Sequence, residues 1–309
     1  MNNNKINTEP YKGVRDFYPE DMTVQNYIFG VWKKIAKQFN YQEYTASILE
    51  YAELYRSKGS DEIVSQQMYT FKDKGDREVA LRPEMTPTLA RMIAAKRKSL
   101  KFPLRWFSIP NVFRYERPQR GRKREHWQLN CDLMGIVNNN SINAEVEIIS
   151  LAYEIMKAFG AKDEDFVIKI NNRMAMETAL LGQGIAKENI PILFRQWDKE
   201  GMPDDKKILW ASANDSLLKS LKEKGISNEQ FDPSIIRGFD YYTGMVFEVF
   251  DTNPENRRSL FGGGRYDNLL EMFGVEPVPT VGFGMGDVTI KDFLITHNLS
   301  TSSVDKSYE

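Results

Sequence analysis

Cysteine and histidine are almost missing from this 309-residue chain: Cys131 is the single thiol, and His126 and His297 are the two imidazoles. One cysteine excludes an intrachain disulfide framework and fits a reducing compartment. Three soft ligands leave too few groups for a zinc site. No apolar run approaches the length of a membrane span, and the polar start Met1-Asn2-Asn3-Asn4-Lys5 has no signal-peptide pattern. These absences point to the cytoplasm, with no membrane partner. Net charge is nearly absent too, at −1 from 42 basic and 43 acidic residues, so any cation-rich site must be local. What is present, 41% hydrophobic and 28% charged residues, fits a folded globular protein rather than a disordered one. The length favours two domains or one large domain with an insertion.

Positive charge is concentrated in one place. Residues 108–115 carry Ile109, Val112 and Phe113, and residues 127–134 carry Leu129, Cys131 and Leu133, a spacing that suits a hairpin with one buried face. Between them, Pro118-Gln119-Arg120-Gly121 is a turn signal. Arg114, Arg117, Arg120, Arg122, Lys123 and Arg124 crowd that turn. A planar guanidinium grips phosphate oxygens with two parallel hydrogen bonds, so an arginine-dense hairpin suits a polyphosphate. A solvated charged hairpin is the plain alternative on these residues alone.

Around this hairpin, helix and strand patterns alternate. Pro19-Glu20-Asp21 opens a helix, and Tyr27, Ile28, Val31, Trp32, Ile35 and Phe39 keep helical spacing toward Asn40. Residues 41–49 read as one strand. Residues 69–71 and 79–81 read as a hairpin across Gly75, and Arg82-Pro83-Glu84-Met85-Thr86-Pro87 turns it into a helix over 88–98. A helix over 141–160 ends at Gly160, and a strand over 165–170 follows. Residues 171–233 are helical in pattern, with Leu180, Leu181, Ile192, Leu193, Trp197, Leu209, Trp210, Leu217, Leu218 and Leu221 suggesting a small core of their own. Sheet-like segments resume at Ile235, with strands over 245–250 and 257–261. Gly262-Gly263-Gly264 then allows close backbone approach to a ligand, and a strand leads into a helix between Thr280 and His297. The expected division is 1–170 and 234–299 as one sheet-bearing domain, 171–233 as an insertion, and 300–309 as a linker or tail.

Four stretches, in order, resemble one family. The strand–loop–strand from Phe113-Arg114-Tyr115-Glu116 to Gln128-Leu129-Asn130-Cys131-Asp132 is similar to motif 2 of the class II aminoacyl-tRNA synthetases. Arg237-Gly238-Phe239-Asp240-Tyr241-Tyr242-Thr243-Gly244 and Gly262-Gly263-Gly264-Arg265-Tyr266-Asp267 resemble the two signature motifs of histidyl-tRNA synthetases. Leu81-Arg82-Pro83-Glu84-Met85-Thr86 resembles that family's amino-acid-binding segment. The resemblance implies an α+β fold: an antiparallel sheet flanked by helices, with a helical insertion, in a two-fold homodimer. It implies histidine–tRNA ligation: ATP, with Mg²⁺, activates L-histidine to histidyl-adenylate, releasing pyrophosphate, and the histidyl group passes to tRNA(His).

By the same resemblance, Arg114 and Arg237 are the catalytic cations, contacting both ATP and histidine. Glu84, Met85 and Thr86 take the α-amino end of histidine, while Gln128, Asp132, Tyr241 and Tyr242 surround its ring. A neutral imidazole donates from one nitrogen and accepts at the other, so a selective pocket must satisfy both. Glu116 approaches the adenine, His126 stacks on it, Arg122 reaches the distal phosphates and Arg265 is a further ATP contact. Arg117, Gln119 and Arg124 stand at the tRNA acceptor end. No metal ligands are assigned.

Several positions depart from the family pattern. Ser47 stands where motif 1 has proline, and Asp132 where many members have glutamate. Thr289, in Gly286-Asp287-Val288-Thr289-Ile290, stands where motif 3 has an ATP-clamping arginine. Arg258 or Arg265 taking over that task, and Asp287 helping to hold a metal, are open readings. The chain also stops short of the family's anticodon-reading domain, so a catalytic fragment is expected. The alternative is a synthetase-like regulatory subunit of ATP phosphoribosyltransferase, which lacks that domain and binds histidine without activating it.

Overall fold

The structure is a computed structural model that describes residues 6–57, 63–136, 141–203, 210–237, 241–256 and 258–301. Leu209, residues 238–240 and nearly all of the expected tail lie outside the described residues.

Helix α1 (Pro19–Gln38) has Pro19 at its start and Glu20 and Asp21 in its first turn, and it buries Ile28, Trp32 and Ile35. Strands β1 (Gln42–Glu43) and β2 (Leu49–Tyr51) follow, then α2 (Ala52–Arg56). The hairpin of β3 (Tyr69–Lys72) and β4 (Glu78–Leu81) leads to α3 (Thr86–Lys96). Strands β5 (Leu104–Ser108), β6 (Asn111–Phe113) and β7 (Glu125–Met134) precede α4 (Ser141–Ala158) and β8 (Phe166–Asn172). Helices α5 (Arg173–Gly182), α6 (Ile190–Glu200) and α7 (Asp215–Glu223) then run to β9 (Glu229–Phe231). Strands β10 (Met245–Asp251), β11 (Ser259–Arg265) and β12 (Thr280–Gly286) end in α8 (Asp287–Thr296).

Nine strands form one sheet in the order β1-β5-β7-β12-β11-β10-β8-β9, with β6 also on β7; β2, β4 and β3 form a second, small sheet. The central pairings of the large sheet are antiparallel, as expected, but the edge pairs β1–β5 and β8–β9 are parallel. The fold is therefore α+β with a mixed sheet. One continuous core unites residues of α1, α4, α7 and α8 with apolar residues of β5, β7, β8, β10, β11 and β12.

Two strands expected to be continuous are broken, each for a local reason. Between 41 and 49 the chain changes sheets: β1 pairs with β5, whereas β2 pairs with β4. The buried Arg82 serves the backbone in that gap, donating from Nη1 to Ala46 O (2.8 Å) and Ser47 O (3.3 Å). The same side chain donates from Nε to Asn111 O and from Nη2 to Asn111 Oδ1. Ser47, at the expected proline, accepts the Leu49 amide on its hydroxyl. The strand expected over 108–115 divides at Pro110, which has no amide hydrogen to donate; β5 and β6, on either side of it, both pair with β7.

The expected core of the insertion also divides. Leu180, Trp197 and Trp210 pack with Met176, Ile190, Phe194, Met202 and Ile236, with Leu193 against them. Leu217 and Leu221 of α7 belong instead to the main core, with Leu218 packed on it, and Leu181 and Ile192 are exposed.

Arg82 ties the small sheet to β6 through the carbonyls of Ala46, Ser47 and Asn111. Arg82→Ala is expected to cost about 3 kcal/mol, because it strands buried acceptors, and Arg82→Lys to recover little, since one ammonium lacks the planar fork. Urea-unfolding midpoints check this; a lysine variant as stable as wild type would refute it.

Candidate active site

A cavity of about 360 Å³ opens over the middle of the large sheet. Its floor is β7 and β12. Gln128, Asn130 and Asp132 alternate along β7, so all three side chains share one face and line the cavity. Opposite them stand Gly284, Gly286 and Gly282 on β12. A Cβ on Gly284 would lie 2.1 Å from Gln128 Nε2, and one on Gly282 2.3 Å from Asp132 Oδ1. The bare strand is what gives these two long polar side chains a place to lie.

Four other segments supply the walls. The strand-to-helix corner brings Glu84 and Thr86, and the hairpin brings Arg114, Glu116, Arg122, Lys123 and His126. Arg237, Tyr241, Tyr242 and Glu248 also line it, as does Asp198 of α6. The two arginines expected to act together thus share one cavity although they stand 123 positions apart in the chain (237 − 114).

Each arginine is held in its own way. Arg114 donates from Nε to Pro83 O at 2.8 Å, and its Nη groups make no hydrogen bond among the described residues. Arg237 has a left-handed backbone, φ 65°. It donates from Nη1 to Glu248 Oε1 at 2.7 Å, with longer contacts from Nη2 to Tyr242 OH and Gly262 O. Burial works against the charge of Arg237, but Tyr242 and Glu248 outweigh it and hold its pKa above the ordinary arginine value.

The acids and the imidazole respond to burial. Glu84 is pushed up to about 7 by burial, against the pull of Arg114 and of the Tyr241 hydroxyl, which donates to Oε2 at 3.1 Å. Its Oε1 is buried without a hydrogen-bond partner. Asp132, which accepts from Tyr266 OH, is likewise pushed up to about 7 by burial. His126 is pulled down to about 3 by burial, then by Arg114 and Arg15, and so stays neutral at pH 7. A guanidinium pair facing a void suits an anion in reaction, a half-satisfied buried carboxylate suits an ammonium, and a polar floor suits a heteroaromatic ring.

Of the expected site residues, Glu84, Thr86, Arg114, Glu116, Arg122, His126, Gln128, Asp132, Arg237, Tyr241 and Tyr242 line this cavity. Others do not. Met85 is 1% exposed and precedes α3, off the cavity wall. Arg265 faces a different cavity, with its Nε on Glu145 Oε1 at 2.8 Å. Arg124 is buried, with its guanidinium 3.9 Å from the Tyr115 ring centroid and bonds to Glu116 O and Tyr11 OH. Arg117 and Gln119 lie exposed on the hairpin loop, where Gln119 accepts from Arg258.

At the motif 3 positions, Asp287 is 1% exposed and accepts from Arg15, Gln25 and the Trp127 amide. Thr289 lines the cavity and donates to Leu260 O. Arg258 sits in an adjoining cavity that shares Gly121, Ser259, Leu260 and Thr289 with the first, whereas Arg265 does not.

Sequence reasoning passed over Glu248, Asn130 and Tyr266. The signals were present: Glu248 is the one acid inside Met245-Val246-Phe247-Glu248-Val249-Phe250, and Asn130 completes the alternation of Gln128 and Asp132. Tyr266 stands inside the glycine-triplet motif, beside the residue chosen from it.

A mainly antiparallel sheet that presents an arginine hairpin and a glycine-rich strand to one cavity defines the catalytic fold of the class II aminoacyl-tRNA synthetases. A model of the histidyl-tRNA synthetase family matches residues 13–223 and 200–288. The histidine–tRNA ligase of Leptospira biflexa is 45% identical over 97% of this chain and 77% of its own length. That of Thermoplasma volcanium is 37% identical over 97% and 78%. Among solved structures, histidyl-tRNA synthetase from Nostoc superposes with a TM-score of 0.77 at 21% identity, covering 95% of this chain and 77% of that one. A Bacillus halodurans protein described as an ATP phosphoribosyltransferase regulatory subunit/histidyl-tRNA synthetase gives 0.74 at 24% identity, covering 93% and 84%. The chain belongs to the histidyl-tRNA synthetase family. No helix among the described residues is long and apolar enough to cross a membrane.

Glu84 and Asp132 hold their protons more tightly folded than unfolded, since an exposed carboxyl titrates near about 4. The stability this confers is complete below the unfolded value and is lost as pH rises through about 7. The unliganded chain is therefore expected to melt at a lower temperature at pH 8 than at pH 6. Glu84→Gln, which cannot ionise, should flatten that slope, and an unchanged slope would remove Glu84 from the account.

Proposed function

We propose that this chain ligates histidine to tRNA: it joins L-histidine to ATP as histidyl-adenylate, releases pyrophosphate, and passes the histidyl group to tRNA(His). The observation that carries the reading is the shared cavity of Arg114 and Arg237, with Glu84 and Asp132 beside them.

In the first step a carboxylate oxygen of histidine bonds to the α-phosphorus and the bond to the pyrophosphate oxygen breaks. Two anions meet, and charge moves onto the phosphoryl oxygens. Arg114, whose Nη groups make no hydrogen bond among the described residues, and Arg237 line the cavity where that charge develops. The partnerless Oε1 of Glu84 takes the substrate ammonium, which favours the ionised carboxylate at neutral pH. Asp132, with Tyr266 behind it, and Gln128 meet the imidazole nitrogens. Neutral His126 offers a ring face to adenine without adding charge. Arg122, paired at 3.4 Å with Glu116, stands toward the distal phosphates.

The chain itself offers little to a metal: the described residues contain no group of three or more His, Cys, Asp or Glu side chains fit to hold one. We read Mg²⁺ as arriving on the phosphates, as it commonly does, and no step above runs through it. Arg117 and Gln119, exposed on the hairpin loop, are left for the tRNA acceptor end, since Arg124 is committed inside. Residues 171–233 are read as an insertion on the catalytic unit of 1–170 and 234–299, and the setting as the cytoplasm.

A homodimer is part of the same reading. The register puts Leu49, Leu81 and Tyr69 side by side on one face of the small sheet, followed by Tyr51, Val79 and Phe71. Leu49, Tyr51 and Phe71 are about half exposed on this face, at 48%, 58% and 47%. A contiguous apolar face of this kind asks for a partner.

Histidine-dependent ATP–pyrophosphate exchange tests the activity. Arg237→Ala and Arg114→Ala are each expected to lower its rate by about 10²–10³-fold, the scale seen when one donor to a developing oxyanion is lost. Absence of exchange in the wild-type chain would overturn the reading. Tyr51→Glu with Phe71→Glu should turn a dimer into monomers in sedimentation equilibrium; unchanged mass would exclude this face.

A further inference from the structure

We infer that Glu248 is a positioning residue for the activation step: it aims the guanidinium of Arg237 at the reacting phosphorus. This rests on the activation reading above. The backbone of Arg237, at φ 65°, lies in the left-handed region that side-chain-bearing residues rarely adopt. No regular strand or helix sets the direction of its side chain. Aim must therefore come from what the guanidinium touches.

Among the described residues, three acceptors are in reach. Tyr242 OH and Gly262 O lie at 3.5 and 3.4 Å, the long end for a hydrogen bond, while Glu248 Oε1 lies at 2.7 Å. Only the last is short and charge-assisted, so it sets the orientation. Glu248 is itself fixed. It lies in the middle of β10, paired with Gly262 on one side and Lys169 on the other. Gly262 keeps the space open: a Cβ there would fall 2.7 Å from Arg237 Nη1 and 3.0 Å from Glu248 Cγ. An acid flanked in mid-strand by Val246, Phe247, Val249 and Phe250 is costly to keep there unless its charge is matched, and Arg237 is its ion-pair partner.

The test is a double-mutant cycle in histidine-dependent ATP–pyrophosphate exchange, using Glu248→Ala, Glu248→Gln, Arg237→Ala and the Arg237→Ala/Glu248→Ala pair. Glu248→Ala is expected to lower kcat by about 10²-fold, the scale of a 1 Å misplacement, with KM for histidine and ATP little changed. Glu248→Gln keeps an acceptor without the charge and should fall between, by about tenfold. The double variant should be no slower than Arg237→Ala alone, because Glu248 has nothing left to aim. A merely structural role would instead give losses that multiply. Either multiplied losses or a folded Glu248→Ala variant with wild-type kcat overturns the inference. Should the alanine variant fail to fold, the same cycle is run with Glu248→Gln, whose shape matches glutamate. A silent wild-type chain overturns the activation reading, and this inference with it; an active wild type with an indifferent Glu248 overturns this inference alone.

Discussion

Two guanidinium groups line one cavity in this protein. Holding two cations in one partly buried site is unfavourable unless each is held by a partner. Arg114 is tethered by a carbonyl at the strand-to-helix corner, and Arg237 by a carboxylate in the central sheet. The neutral tether leaves Arg114 with its whole charge and free donors. The acidic tether offsets part of the charge of Arg237 and sets its direction. The cavity is thus poised for an anion and cannot collapse around its own cations.

Burial opposes charge of either sign here: Tyr242 and Glu248 restore that of Arg237, whereas the buried acids are left to hold their protons. Glu84 and Asp132 both stand about 7 rather than in the ordinary carboxyl range, because water is excluded from them. Their protonation is therefore responsive to a ligand. An arriving ammonium stabilises the ionised form of Glu84, while Asp132 has a tyrosine hydroxyl behind it in either state. Glycine on β12 makes this arrangement possible, since polar side chains of β7 occupy the volume where β12 has none. A sheet of ordinary residues would close that space with its own side chains.

Much of this was legible along the chain. The arginine hairpin, the Pro-Glu-Met-Thr corner and the glycine triplet could all be recognised because each is a local run with a local backbone demand. Edge effects were not. The gap between β1 and β2 is held by the Arg82 side chain, reaching back 36 and 35 positions to the carbonyls of Ala46 and Ser47, and helical spacing in α7 could not show which core Leu217 and Leu221 would join. Arg265 and Arg124 both belong to site-like runs, yet each turns to a partner that only the fold supplies, Glu145 for one and Tyr115 for the other.

By itself the sequence determined the order of elements, the family, and the kinds of side chain available, because periodicity and short motifs are properties of neighbours in the chain. Only the tertiary structure decided which cations share a cavity, which acids lose water, and that Glu248 stands behind Arg237. Those are matters of distance and burial between segments far apart in sequence. Their energies depend on the local dielectric and on hydrogen-bond geometry, neither of which exists until the sheet has closed around them.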